Sequence, residues 1–279
     1  MGRKLDGAVV VVTGASSGIG RATGLALAER GARVVVAARR ADALEDLARQ
    51  CRAAGGEALA VPTDVTDEAA VTELARRAVE RFGRIDVWVN NASVYSHVGA
   101  PWLSAYVSSK FAVRGFSEAL RQELADLPDV HICTVSPSPI DTPIFASAAN
   151  YSGRAVKAPP PTYPPEQVAS AILASALHPK RERIIGGAGR LVTVAEAVAP
   201  RRFERINRRY VNGLQFAAEP APATDGNLYA PVSDGRAAAR GGWRRRPDPP
   251  APLRRLAAVG LLAAGSITIA RIVTHSRRR

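Results

Sequence analysis

Between residues 8 and 90 the chain sets four short Val-rich runs apart by three longer segments with helical periodicity, and this alternation leaves few folds open. The runs at 8–12, 33–37, 58–61 and 85–89 are short, β-branched and bounded by glycine or polar residues, the pattern of strands buried on both faces of a parallel sheet. The segments at 18–30, 42–54 and 67–82 read as helices. Thr66 and Asp67 offer N-cap oxygens to the third, and Gly31, Gly55 and Gly83 stand at helix-stop positions. Strands in this order need right-handed crossovers, which gives an α/β, doubly wound parallel sheet of Rossmann-like type. Farther on, residues 103–127 read as a long helix ending at Pro128, 130–135 as a strand, 165–177 as a helix that opens with proline, and 183–185 as a short strand. Residues 190–212 read as helical in two pieces broken at Pro200.

Composition sharpens the boundaries. The net charge of +13 suggests nucleic acid, yet residues 201–279 hold 16 Arg and 5 acidic residues while residues 1–200 hold 22 basic and 20 acidic ones. The body is nearly neutral and the charge belongs to the tail. We therefore expect a domain at 1–215, a mostly disordered Pro/Ala/Gly-rich linker at 216–252, and a basic-flanked hydrophobic helix at 253–279. In that helix the uncharged run 256–270 would span about 22 Å, short of the roughly 30 Å hydrocarbon core, so it either lies on an anionic membrane surface, spans marginally with snorkelling arginines, or docks as a soluble helix. Nucleic acid is the weaker partner, because no recognition motif or aromatic interleaving accompanies the arginines. Cys51 and Cys133 form neither a disulfide framework nor a zinc site, and His97, His131, His178 and His275 have no ligand spacing, so no metal is expected. The apolar run after Met1 is too short for a signal peptide, and Asp6 stands where a myristoylation motif wants Ser or Thr. A cytoplasmic catalytic domain, anchored to a membrane or not by its tail, is the resulting expectation.

The chemistry is concentrated in a few motifs. Directly after the first strand comes Thr13-Gly14-Ala15-Ser16-Ser17-Gly18-Ile19-Gly20. Glycines there let the backbone turn sharply, approach a pyrophosphate and pack the next helix on the sheet, while the N-terminus of that helix favours an anion. At the end of the second strand, where a carboxylate would select NAD, stand Ala38, Arg39 and Arg40; an arginine suits a 2′-phosphate and so favours NADP over NAD. Tyr106 and Lys110, four apart on a helix, share one face, and an ammonium near a phenol favours the phenolate.

Taken together these residues resemble the short-chain dehydrogenase/reductase family over about residues 5–190. The resemblance rests on the glycine pattern at Gly14, Gly18 and Gly20, on Asp64-Val65, on Asn90-Asn91-Ala92, on Tyr106 and Lys110, and on Pro137-Ser138-Pro139-Ile140-Asp141-Thr142, with Ser138 in place of the family's glycine. It implies a nicotinamide cofactor held by Thr13, Gly14, Ser16, Ser17, Gly18, Ile19, Gly20, Arg39, Asp64, Val65, Asn91, Ala92, Lys110, Pro137 and Thr142, with NADPH preferred and NAD less favoured. It further implies a carbonyl or alcohol substrate and a catalytic set of Ser93, Tyr106 and Lys110. Ser93, 13 positions before Tyr106, would orient the substrate oxygen, Tyr106 would protonate it, and Lys110 would lower the phenol's pKa and hold the nicotinamide ribose.

One departure bears on activity. Asn91 and Tyr106 are 15 positions apart, whereas in the family a much longer stretch stands between them, holding a long helix and most of a strand. Either the 130–135 strand pairs directly beside the 85–89 strand, or the sheet gapes. The expected activity is hydride transfer between NADPH and a carbonyl or alcohol, with a cofactor-binding scaffold of impaired turnover, at a membrane surface, as the alternative. The Pro159-Pro160-Pro161 and Pro164-Pro165 runs fall where the family has its substrate-covering loop, as a stiffened lid or a rigid connector. Substrate identity, direction and oligomeric state are left open.

Overall fold

A computed structural model describes residues 4–90, 93–232 and 237–245. Its centre is a four-stranded parallel sheet in the order β3-β2-β1-β4, built from β1 (Val9–Thr13), β2 (Arg33–Ala38), β3 (Glu57–Pro62) and β4 (Val87–Val89). Helices α1 (Gly18–Ala28), α2 (Ala41–Ala53) and α3 (Glu68–Phe82) connect them. The strand period of two divides the valines between the faces. Val10, Val12, Val34 and Val36 pack with Leu27, Leu44, Leu47, Val168 and Ile172 on one side. Val9, Val11 and Val35 pack with Leu74 and Ala78 on the other. The capping expected at α3 is present: the Asp67 carboxylate accepts from the Ala69 and Ala70 amides, and Gly83 closes the helix at φ 82°.

Beyond β4 the sheet is interrupted. The chain makes a 3-10 turn at Val94–Ser96, then α4 (Ser104–Glu123), β5 (Thr134–Pro137), a single-turn α5 (Ile144–Ser147), β6 (Arg154–Val156), α6 (Pro165–Leu177), β7 (Glu182–Ile185), α7 (Gly187–Val198), α8 (Pro200–Leu214) and β8 (Phe216–Pro220). Strand β5 pairs in parallel with β7, and β6 pairs antiparallel with β8; among the described residues neither pair joins the main sheet. Of the two arrangements open to the sequence, the gaping sheet is the one found. A cavity of about 820 Å³ lies between β4 and β5, lined by Val87, Trp88 and Val89 from one, by Val135 of the other, and by Ile132 and Cys133 just ahead of β5.

The helix after the interruption is thinly covered. No residue of α4 is buried, and Phe111 and Phe116 are exposed. The second face of the sheet is therefore covered chiefly by α3.

Several sequence expectations shift. The strand expected at 130–135 forms at Thr134–Pro137, because the register is set by pairing with β7 and not by the local Val-Ile run. The helix expected at 103–127 stops at Glu123, before the turn that precedes Pro128. The disordered linker expected over 216–252 is corrected only where it is described: Phe216–Pro220 forms β8, Thr224 bridges to Asn150, and residues 237–243 dock on the main body, while 233–236 and 246–252 lie outside the described residues. Proline and glycine in that stretch serve docked turns, with Gly226 at φ 52° and Gly242 at φ 80°. The hydrophobic helix expected at 253–279 lies outside the described residues, among which no helix is long and apolar enough to cross a membrane.

Candidate active site

The sequence brings its motifs to one end of the sheet, at the carboxyl ends of the strands and beside the point where the order reverses from β1–β2 to β1–β4. The turn after β1 uses positive φ at Gly14 (65°) and Gly18 (57°). Gly20 is required for a different reason: a Cβ there would sit 2.4 Å from the Gly14 carbonyl oxygen and 2.9 Å from the Ala15 Cα, so a side chain would push α1 off its own turn. Ser17 stands at the N-cap of α1 in an extended conformation. Ser16 gives its carbonyl oxygen to the Arg40 guanidinium, and Ile19 packs against the core. Thr13 anchors the turn laterally, its hydroxyl donating to the Val89 carbonyl at 3.0 Å and reaching the Asn90 side-chain oxygen at 3.3 Å. These features make a glycine cradle at a helix N-terminus that a dinucleotide's pyrophosphate fits.

At the ribose end, Arg39 leaves β2 toward Asp64. The Asp64 carboxylate accepts from the backbone N–H and hydroxyl of Thr66, bonds that hold it below the usual carboxylate range, with Arg39 adding to the effect. Val65 beside it is exposed. Opposite the glycine turn lies the end of β5, where Pro137 pairs with Ile185 and the chain turns through buried Ser138, Asp141 and Thr142. The Thr142 methyl sits 3.1 Å from where a Gly18 Cβ would be, so the two turns face each other across a narrow cleft. Ser138, which replaces a glycine of the family pattern, is used: its hydroxyl accepts from the Gly189 amide and ties this turn to α7.

The candidate acid/base group forms on the 93–97 turn and α4. Ser93 is buried, its hydroxyl caps the 3-10 turn at the Tyr95 amide, and it lies near enough to the Tyr106 phenol to influence its ionisation. Tyr106 is 41% exposed over the whole residue, yet local desolvation of its phenol pushes that group above its ordinary value, and the Ser93 hydroxyl opposes the rise. Lys110, one turn along, places Nζ 5.4 Å from the Tyr106 ring centroid, and burial lowers its pKa. The Lys110 charge thus sits over the ring rather than at the hydroxyl, and desolvation governs both groups. Ser93, Tyr106 and Lys110 are brought together; Asn91 and Ala92 lie outside the described residues.

Sequence reasoning missed two sets of neighbours. The Tyr95 ring meets Tyr106 edge to face at 6.1 Å, and burial pushes its phenol up to about 12. Tyr210 of α8 donates to the Pro160 carbonyl close by, which seats the proline-rich loop against α8. The second set is the tail: Asn227 and Leu228 supply carbonyls to Arg39, and Ala238 supplies one to Gly18. An isolated Trp243 in a Pro/Gly-rich segment was the available signal that this stretch docks, since an aromatic of that size is worth burying.

Comparison with known proteins settles the family. Residues 8–97 and 92–152 match the short chain dehydrogenase family, in two stretches that meet at 92–97. The chain belongs to this family. It is 33% identical to the uncharacterized oxidoreductase YxnA of Bacillus subtilis, over 81% of this chain and 79% of the relative. It is 28% identical to an uncharacterized oxidoreductase of Mycobacterium bovis over 76% of this chain and 77% of that one. A cis-4-hydroxycyclohexanecarboxylate dehydrogenase of Sinomonas cyclohexanicum is 52% identical over 34% of this chain and 37% of its own. The YxnA alignment extends over 281 positions while using 81% of this 279-residue chain, so about 55 of its positions have no counterpart here. As a short-chain oxidoreductase the protein uses a nicotinamide cofactor and acts on an alcohol or carbonyl group.

Proposed function

We propose that this chain is an NADP-dependent oxidoreductase that reduces a carbonyl compound or oxidises the corresponding alcohol, with Ser93, Tyr106 and Lys110 as its catalytic set. The observation that carries the reading is the gathering of the buried Ser93 hydroxyl and of Lys110, one turn away on the same helix face, about the Tyr106 side chain. The nicotinamide, when bound, supplies or accepts the hydride. The chain's own groups do the rest. Two hydroxyls converge on the substrate oxygen; as hydride reaches the carbonyl carbon, Tyr106 passes its proton to that oxygen, and Lys110 favours the phenolate left behind. The α1 N-terminus takes the pyrophosphate, and Arg39 takes the 2′-phosphate that distinguishes NADP. Arg39 rather than a carboxylate at the end of β2 supports that choice.

The relatives' extra positions and the split family match at 92–97 support a further reading, that the missing stretch lies between Asn91 and Tyr106. An interior strand is then absent from the sheet that positions Tyr106.

The test is NADPH and NADH oxidation with a panel of carbonyls, for the natural chain, Tyr106→Phe and Arg39→Ala. Tyr106→Phe is expected to lower kcat by about 100-fold or more while leaving cofactor affinity intact. Arg39→Ala is expected to raise KM for NADPH by about 10-fold or more and to leave NADH nearly unchanged. Turnover indifferent to Tyr106→Phe refutes the catalytic assignment, and equal losses for both cofactors refute the 2′-phosphate assignment.

A further inference from the structure

Two stretches of the C-terminal region, on either side of residues 233–236, lie across the cleft just described. At the ribose end the Arg39 guanidinium donates to the carbonyl oxygens of Asn227 at 2.5 Å and Leu228 at 3.4 Å. At the pyrophosphate end the Gly18 N–H, the first amide of α1, donates to the Ala238 carbonyl at 2.9 Å. The chain then crosses to the opposing turn, where the Gly241 and Trp243 amides donate to one Asp141 carboxylate oxygen at 3.1 and 2.8 Å. The Trp243 indole N–H donates to the Thr142 carbonyl at 2.9 Å, and its ring meets Phe145 edge to face at 5.8 Å. Contact is close enough to exclude a side chain at Gly241, where a Cβ would lie 2.4 Å from the Thr142 carbonyl oxygen. Arg240 adds an ion pair to Glu166 of α6 at 2.9 Å.

We infer that residues 224–232 and 237–243 form an intramolecular strap that competes with the phosphorylated dinucleotide for its own binding groups. This rests on the proposed cofactor site. The two donors which that reading gives to the cofactor's phosphates, the α1 N-terminal amide and the Arg39 guanidinium, are both engaged by backbone carbonyls of the strap. One N–H does not serve a carbonyl and a phosphate together. Hydrogen bonds from these donors to a charged phosphate are stronger than those to a neutral carbonyl, so the cofactor displaces the strap, but its apparent affinity is reduced by the fraction of molecules in which the cleft is open. The strap's anchors at Asp141, Thr142 and Phe145 lie on the turn facing the cleft, so its release also frees that turn.

The experiment uses the full chain. NADPH is titrated by its fluorescence into the natural protein, Gly241→Val, which forces the strap off Thr142, and Trp243→Ala, which removes its anchor. Either variant is expected to bind NADPH about 10-fold more tightly, the gain for a cleft otherwise closed nine times in ten. In the natural protein, saturating NADPH is expected to speed tryptic cleavage after Arg240, a readout that does not depend on how the variants fold. Unchanged or weaker NADPH binding by folded variants overturns the strap, as does NADPH slowing cleavage after Arg240, since the tail would then be part of the bound site. Failure of the natural protein and both variants to bind NADPH at all refutes the underlying cofactor reading instead.

Discussion

Substituting Gly20 by alanine tests the glycine turn most directly, because the two energies involved have opposite signs. Alanine in the first turn of α1 gains up to about 1 kcal/mol of helix propensity over glycine. Against that, the new methyl would stand 2.4 Å from the Gly14 carbonyl oxygen, 2.7 Å from its carbonyl carbon and 2.9 Å from the Ala15 Cα. All three are backbone atoms, so no rotamer change relieves the clash. Overpacking of this kind costs about 1–3 kcal/mol, and a rigid backbone puts it at the upper end. The expected net loss is about 1–2 kcal/mol, which for a domain of this size lowers Tm by about 2–8 °C. Gly115→Ala, in the middle of α4 with nothing within 4 Å of its would-be Cβ, is the matched control and should gain about 0.5–1 kcal/mol. Urea unfolding followed by far-ultraviolet circular dichroism reads both, provided the slope with denaturant stays constant. A Gly20→Ala protein as stable as its parent, or more so, would refute the close approach of α1 to its turn; a destabilised Gly115→Ala would show that the open face of α4 is covered.

Two further outcomes follow from burial. The folded state holds the Tyr95 proton up to about 12 whereas an unfolded tyrosine loses it near its ordinary value of about 10, so the folded state binds more protons in that window and stability falls as pH rises from about 10 to about 12. The loss amounts to roughly 2–3 kcal/mol at about 1.4 kcal/mol per unit, and Tyr95→Phe should flatten that part of the pH profile of the urea midpoint; an unchanged profile would refute the assignment. Cys51 is fully buried, with its thiol pushed up to about 11 by burial, while the half-buried Cys133 lines the cavity between β4 and β5. An aromatic disulfide reagent at pH 8 should therefore label one thiol per native chain promptly, and Cys133→Ser should abolish that phase; two prompt thiols would mean that the α2 face opens readily.

What the sequence discloses here is local chemistry. The Val-rich runs, the glycine stops and the Asp67 cap each carry their reason within a few residues, so β1 to β4 and α1 to α3 are legible to within a residue or two at most ends. The same holds for Tyr106 and Lys110, whose shared face is a matter of helix spacing. Strand β5 forms later than the 130–135 run suggests because its register depends on β7, nearly fifty residues on, and nothing in Val130 or Ile132 records that partner. The tail was misread for a related reason. Its hydrogen bonds to Arg39, Gly18 and Asp141 are made by backbone atoms, which composition does not distinguish, and only Trp243 hints at a docked segment.

The interruption of the sheet separates the two halves of the site mechanically. The glycine turn, Arg39 and Asp64 ride on β1, β2 and β3, which are continuous and paired along their length, with β1 and β2 buried on both faces. Ser93 and Tyr106 ride on the 93–97 turn and on a helix without a buried residue. That turn is tied to the smaller β5–β7 sheet by the His97 ring, which donates to the Glu182 carboxylate at 2.6 Å, with the Ser136 hydroxyl donating to the same oxygen at 3.2 Å. Backbone pairing does not connect β4 to β5 among the described residues, so the distance from the phenol to the dinucleotide cleft is set by side-chain packing around a cavity and not by a strand ladder. A displacement near 1 Å in a reacting geometry lowers rate by about 100-fold, whereas the groups proposed to hold the cofactor's phosphates do not move with it. Cofactor affinity and turnover are thus separable in this chain: a filled cavity, as by Cys133→Leu or Val135→Phe, should act on kcat through the β5 half while leaving NADPH binding where β1 and β2 place it.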